Sequence, residues 1–290
     1  MASFDIPTID FSPLFSTDEN NQEKKQAMEQ IGEACVNYGF FQITSHGIPL
    51  ELLSRTMDMY ETFFACSDEE KLSLPHNYMK SKQNSAETWE HLVFNFSSSG
   101  FDFCPDNPPH FKQVLEEMAS HFTKLGVLLE GIISECLGLP PDFLANYKSD
   151  RSPNSLMGLH YFPATEDENT GKPAHEDPGC FTIVYQDELG GLQVQKDDQW
   201  IPIAPCKDKL VVNIGDVIQL LGWLVATLFI LAGVYVLLLR RFTMLVRKFS
   251  SSVPSSSRRV VPSSPKKAIP TSPKMIVQLL TEVWITVMNV

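Results

Sequence analysis

The chain has 290 residues, 43% of them hydrophobic and 20% charged, with 19 Phe, 4 Trp and 7 Tyr. That supply of apolar and aromatic side chains supports a packed core and excludes a wholly disordered chain. The formal net charge of −12 argues against a nucleic-acid binder, which needs a basic face to neutralise phosphates.

The charge is unevenly divided. Residues 1–219 hold 14 Lys+Arg against 34 Asp+Glu, whereas residues 220–290 hold nine cations and a single acid, Glu282. An acidic body of −20 is joined to a basic tail of +8. Six cysteines (Cys35, Cys66, Cys104, Cys136, Cys180, Cys206) form no C-x-x-C pair and read as small hydrophobes in a reducing compartment. The N-terminus has neither a basic start nor an apolar run, so the acidic body is expected in the cytoplasm.

In chain order, Ile6 to Phe11 alternates apolar and polar residues and predicts a short edge strand. Residues 22–38 predict a helix with Met28, Ile31, Cys35 and Val36 on one face. Residues 39–43 predict a strand closed by the turn Ser45-His46-Gly47-Ile48-Pro49, with His46 a structural turn residue. Helices are expected over 50–66 and 110–137, separated at 75–108 by a loop with short strands. From Ser155 onward, short apolar runs alternate with turn signals, and strands are expected at 155–162, 180–185, 191–196, 199–204 and 209–214. Helices first and short strands later suggest an α+β fold, a helical layer on a jelly roll.

Val217 to Leu239 is 23 residues without a charge. As a helix it would measure about 35 Å, enough to span a bilayer as a transmembrane helix, and Arg240 and Arg241 follow at once. Residues 249–273 hold nine Ser and five Pro and are expected to be disordered. Met275 to Val290 reads as a short amphipathic helix.

The chemistry concentrates at Pro173-Ala174-His175-Glu176-Asp177. In extended backbone, positions i and i+2 share a face, so His175 and Asp177 can take adjacent corners of one metal. They are two thirds of the two-histidine, one-carboxylate triad of non-haem Fe(II) oxygenases. A chance pair in a turn is the alternative for so short a motif.

The surroundings point one way. Ile6-Pro7-Thr8-Ile9-Asp10-Phe11, Gly39 to Pro49, His175-Glu176-Asp177, Gln186 to Val194, Trp200 to Ile203 and Leu210 to Asp216 occur in order over residues 5–219. Together they resemble the plant-type 2-oxoglutarate/Fe(II)-dependent dioxygenases (isopenicillin N synthase-like). The resemblance implies a distorted jelly roll, or double-stranded β-helix, with an N-terminal helical layer. It implies Fe(II) as metal, 2-oxoglutarate and dioxygen as co-substrates with ascorbate as a further cofactor, and a small-molecule substrate for a monomeric enzyme. His175 and Asp177 would be metal ligands. His160-Tyr161-Phe162-Pro163 stands where many relatives carry Asn-x-Tyr, whose tyrosine touches the co-substrate. Phe162 has no hydroxyl there, and Tyr161 and His160 are the candidate cofactor-binding residues.

Two departures follow. The family draws its second histidine, then an Arg-x-Ser pair for the distal carboxylate of 2-oxoglutarate, from beyond the match. The seven histidines here (His46, His76, His91, His110, His121, His160, His175) all lie at or before His175, and the tail holds no Arg-x-Ser, only Arg241-Phe242-Thr243 of similar form. His160, on the preceding strand, is the candidate replacement. The expectation is a dioxygenase that binds iron weakly and turns over poorly, or an inactive, membrane-associated or fragmentary chain that keeps the fold. The boundaries drawn are 1–150 for the N-terminal helical and strand region, 151–219 for a partial jelly-roll core, and 220–290 for a divergent tail. That tail reads as a membrane anchor, as a buried segment, or as sequence foreign to the family from a retained intron or frameshift. In each case the closing strands of the core are expected to be missing.

Overall fold

The computed structural model describes residues 5–18, 20–74, 76–81, 89–97, 100–101, 103–148, 154–162, 174–177, 179–196, 199–231 and 274–281. Three helices form a layer on one side: α1 (Gln22–Asn37), α2 (Leu50–Phe64) and, after the short α3 (Asp68–Leu72), the long α4 (Phe111–Cys136). Asn21 caps α1 by accepting from the backbone N–H groups of Glu23 and Lys24, which leaves Ala27, Ile31 and Ala34 to face the core. On α4, Phe111, Val114, Leu115, Met118, Phe122, Leu125 and Leu129 repeat at helical spacing and are all buried. A short α5 (Phe143–Lys148) follows.

The strands are β1 (Thr8–Asp10), β2 (Phe40–Thr44), β3 (Tyr78–Lys80), β4 (Trp89–Ser97), β5 (Gly100–Phe101), β6 (Asn154–Tyr161), β7 (Phe181–Gln186), β8 (Gln193–Lys196), β9 (Gln199–Pro202), β10 (Leu210–Ile214) and β11 (Lys274–Thr281). Nine of them form one sheet in the order β1-β2-β10-β7-β11-β6-β4-β3, with β5 on β4. The hairpin β8–β9 is a second, smaller sheet. One face of the main sheet carries Leu156, Phe181, Ile183, Tyr185, Leu210 and Val212 into the helical layer. The other face packs Met157, Leu159, Tyr161, Val184 and Val211 against Leu192, Val194, Ile201 and Ile203 of the hairpin region. The period-2 alternation of each strand thus builds a helical side and a barrel interior. The α+β jelly roll with its N-terminal helical layer is therefore present.

The strands expected within 75–108 are β3, β4 and β5, with β4 longer than foreseen: it runs nine residues and is mostly buried, with aromatic and β-branched side chains suited to an inner strand. The expectations for the tail need correction. The gap expected in the core is filled between β6 and β7, where β11 comes from the tail and lies antiparallel to both. Its residues read as a helix in sequence, but β6 and β7 each offer it a row of backbone donors and acceptors. Pairing from Lys274 to Thr281 satisfies both rows at once. Finally, no helix of the described residues is long and apolar enough to cross a membrane. The apolar run instead starts α6 (Asp216–Leu231), where Val217, Ile218 and Leu221 pack on the core while Leu220, Trp223 and Leu224 are exposed. Residues 232–239, the Ser/Pro-rich stretch 249–273 and residues 282–290 lie outside the described residues.

Candidate metal centre

The loop before β7 and the ends of β7 and β10 converge on Asp177. Alternation along β7 puts Thr182, Val184 and Gln186 on the barrel face, and alternation along β10 puts Val211 and Asn213 there. Thr182 and Asn213 are direct cross-strand partners. Both reach the same carboxylate oxygen: Thr182 Oγ1 donates to Asp177 Oδ2 at 2.6 Å, and Asn213 Nδ2 donates to it at 2.7 Å. Asp177 is buried, and its other oxygen, Oδ1, lies 3.6 Å from His175 Nε2. An imidazole nitrogen and a carboxylate oxygen at that separation suit neighbouring positions around one cation.

The loop is fixed through its backbone. Gly215 N–H donates to Cys180 O and Asp216 N–H to Asp177 O, each at 2.9 Å. The approach is close enough that a Cβ on Gly215 would stand 2.1 Å from Gly179 O and 2.8 Å from Asp177 O, so glycine is required for contact rather than for an unusual φ. Burial, and then the charge of Asp177, hold the Asp216 carboxyl above the usual carboxylate range.

Tyr161 and His160 part company. Tyr161 faces the barrel, where its hydroxyl is buried with no hydrogen-bond partner among the described residues and burial pushes its pKa up, so it remains a donor. His160 faces the helical side: its ring stacks on Phe64 of α2, and Nδ1 lies 2.7 Å from Glu90 Oε1. His160 is thus not brought to the His175–Asp177 pair. Among the described residues, no group of three or more His, Cys, Asp or Glu side chains could hold a metal ion. His46, as expected, is a turn residue: it is buried and accepts from the Ile48 N–H.

His175 Nε2 and Asp177 Oδ1 are two donors of the kinds that iron takes, two and not three among the described residues. A second polar atom without a partner among the described residues, Asn213 Oδ1, joins the Tyr161 hydroxyl on the barrel face. Thr182 and Asn213, the two donors to Asp177, are the residues beside the pair that sequence reading missed. An asparagine in the middle of an apolar strand is unfavourable there, and that was the available signal.

Comparison with known proteins identifies the family and supports the fold. Residues 6–116 match the family described as non-haem dioxygenase in morphine synthesis N-terminal, and residues 153–223 match the 2OG-Fe(II) oxygenase superfamily. Protein DOWNY MILDEW RESISTANCE 6 of Arabidopsis thaliana is 33% identical over 75% of this chain and 66% of its own length. The 1-aminocyclopropane-1-carboxylate oxidase 5 of the same plant is 32% identical over 75% of this chain and 74% of its own. The chain spans 56–66% of the length of three curated relatives it matches. The crystal structure of JOX2 in complex with 2OG, Fe and JA superposes with a TM-score of 0.69 at 23% identity, covering 95% of this chain and 74% of that one, which supports the fold.

Proposed function

Since this chain belongs to the 2-oxoglutarate- and Fe(II)-dependent dioxygenase family, we propose that it is an oxidoreductase acting on a small organic metabolite, with His175 and Asp177 as its metal ligands. The family's metal is Fe(II) and its co-substrate 2-oxoglutarate. When bound, the iron supplies open positions at which 2-oxoglutarate and dioxygen meet.

The observation that carries the reading is the His175–Asp177 pair, 3.6 Å apart, with Asp177 already fixed by two donors. The residues around it supply the rest. The apolar side chains Leu159, Val184, Val194 and Val211 exclude water from the barrel. The Tyr161 hydroxyl, kept protonated by burial, is a donor for a co-substrate oxygen. A dicarboxylate needs a cation at its far end, and the expected Arg-x-Ser is absent.

A non-catalytic, membrane-associated chain is the second reading. It is favoured by the lack of a third His, Cys, Asp or Glu beside the pair among the described residues, and by the exposed Leu220, Trp223 and Leu224 on α6. The test is conversion of 2-oxoglutarate to succinate by the full chain, with Fe(II) and ascorbate supplied. The first reading expects iron-dependent succinate, lost in His175→Ala. Equal, background-level succinate from both proteins would favour the second reading.

A further inference from the structure

We propose that Thr182 and Asn213 are positioning residues that make Asp177 a one-oxygen metal donor. The inference rests on the metal-centre reading above and assigns two residues to it.

A carboxylate has two oxygens and can bind a cation through one or both. Here the choice is made by the sheet. Thr182 and Asn213 are cross-strand partners on β7 and β10, so their spacing is set by backbone pairing and not by side-chain freedom. Both donate to Oδ2, at 2.6 and 2.7 Å, and both side chains are at least 97% buried. Two donors on a carboxylate oxygen in a dry site fix the rotation of the group and lower the charge density of that oxygen. Oδ1 is then the oxygen turned toward His175 Nε2. The device matters more in this chain than in a three-ligand centre. Only two His, Cys, Asp or Glu donors are in place among the described residues, so the orientation of each counts for more. Outer groups that orient a ligand typically change metal affinity by roughly 10–100-fold.

The Asn213 amide is held one way round by the same contacts. Its Nδ2 must face the carboxylate, which leaves Oδ1 buried on the barrel face without a protein donor among the described residues.

The test is binding of Co(II), a spectroscopic stand-in for Fe(II), to the full chain, read from its visible absorption. Thr182→Val keeps shape and strand preference but removes the donor, Asn213→Leu removes the other, and Thr182→Ser restores a hydroxyl. Circular dichroism confirms that each variant is folded. We expect Thr182→Val and Asn213→Leu to bind Co(II) roughly 10–100-fold more weakly, with an altered absorption band, and Thr182→Ser to bind within about threefold of the parent. Folded Val and Leu variants that bind as the parent does would overturn the positioning role while leaving the metal centre intact. Absence of Co(II) binding by the parent chain would overturn both.

Discussion

Lys71 Nζ lies 2.9 Å from Glu90 Oε2, and the two side chains are 4% and 0% exposed. Tyr78 donates to the same oxygen, while His160 Nδ1 lies against the other, so one carboxylate ties α3, β3, β4 and β6 together. Removing one member of a buried pair leaves the other charged and dry, at a cost of about 3–5 kcal/mol. Lys71→Met is therefore expected to lower the free energy of urea unfolding by about that much. A loss under about 1 kcal/mol would show that the pair is not holding the layer to the sheet.

The same carboxylate gives the fold an acid limb. Burial alone would raise the Glu90 pKa, but the hydrogen bonds from His160, Tyr78 and Lys71 outweigh it and hold the group below its ordinary value of 4.5. A folded-state pKa below the unfolded one stabilises the fold above the unfolded value, and that stabilisation fades as pH falls through the folded one. Unfolding free energy should thus drop as pH is lowered below about 4.5, and the Glu90→Gln variant, though less stable at neutral pH, should show a shallower acid slope. Parallel slopes for the two proteins would rule Glu90 out as the source.

Gly215 offers a test of how tightly the metal loop is clamped. A methyl group there meets two backbone oxygens, which cannot swing aside as a side chain would. Gly215→Ala should therefore displace the 177–179 segment or the start of α6, with a cost of at least about 1–3 kcal/mol, and should weaken Co(II) binding as well. A variant with the parent's melting temperature and metal affinity would mean that the junction relaxes freely.

Much of this was legible in the sequence, and the misses have physical causes. The interior and helical faces followed from alternation and helical spacing, as with Val184 against Ile183 and Phe122 beside Leu125. The His175–Asp177 pair was visible because its partners are two residues apart. Asn213 lies 36 residues from Asp177, so their hydrogen bond exists only through the register of β10 with β7. His160 and Tyr161 looked equivalent as neighbours, yet strand alternation sends them to opposite faces. Met275 to Leu280, apolar apart from Gln278, is too short for periodicity to separate strand from helix, and it is the gap between β6 and β7 that decides it.

That gap makes β11 a testable element. It is paired on both sides, so its backbone cannot lose a donor without loss to the sheet. Val277 pairs with Gly158 on one side and Tyr185 on the other. Val277→Pro removes its N–H and should cost about 3 kcal/mol or more, with increased binding of a hydrophobic dye as β6 and β7 separate. If the variant unfolds at the parent's midpoint, the tail contributes nothing to the core.

Metal binding should itself be readable as stability. A ligand that binds only the folded state adds RT ln(1 + [L]/Kd), about 2.7 kcal/mol when its concentration is a hundred times Kd. The His175–Asp177 pair exists as a pair only in the folded chain, because the 3.6 Å separation depends on the Thr182 and Asn213 bonds and on the Gly215 clamp. Adding Co(II) should therefore raise the melting temperature in proportion to the logarithm of its concentration, and EDTA should reverse the rise. Removing the imidazole in His175→Ala should abolish the shift without much change in the metal-free melting temperature, since His175 is part-exposed and outside the apolar clusters. A rise of equal size in the alanine variant would place the stabilising ion elsewhere on the acidic surface, and no rise in the parent would leave the pair without a metal.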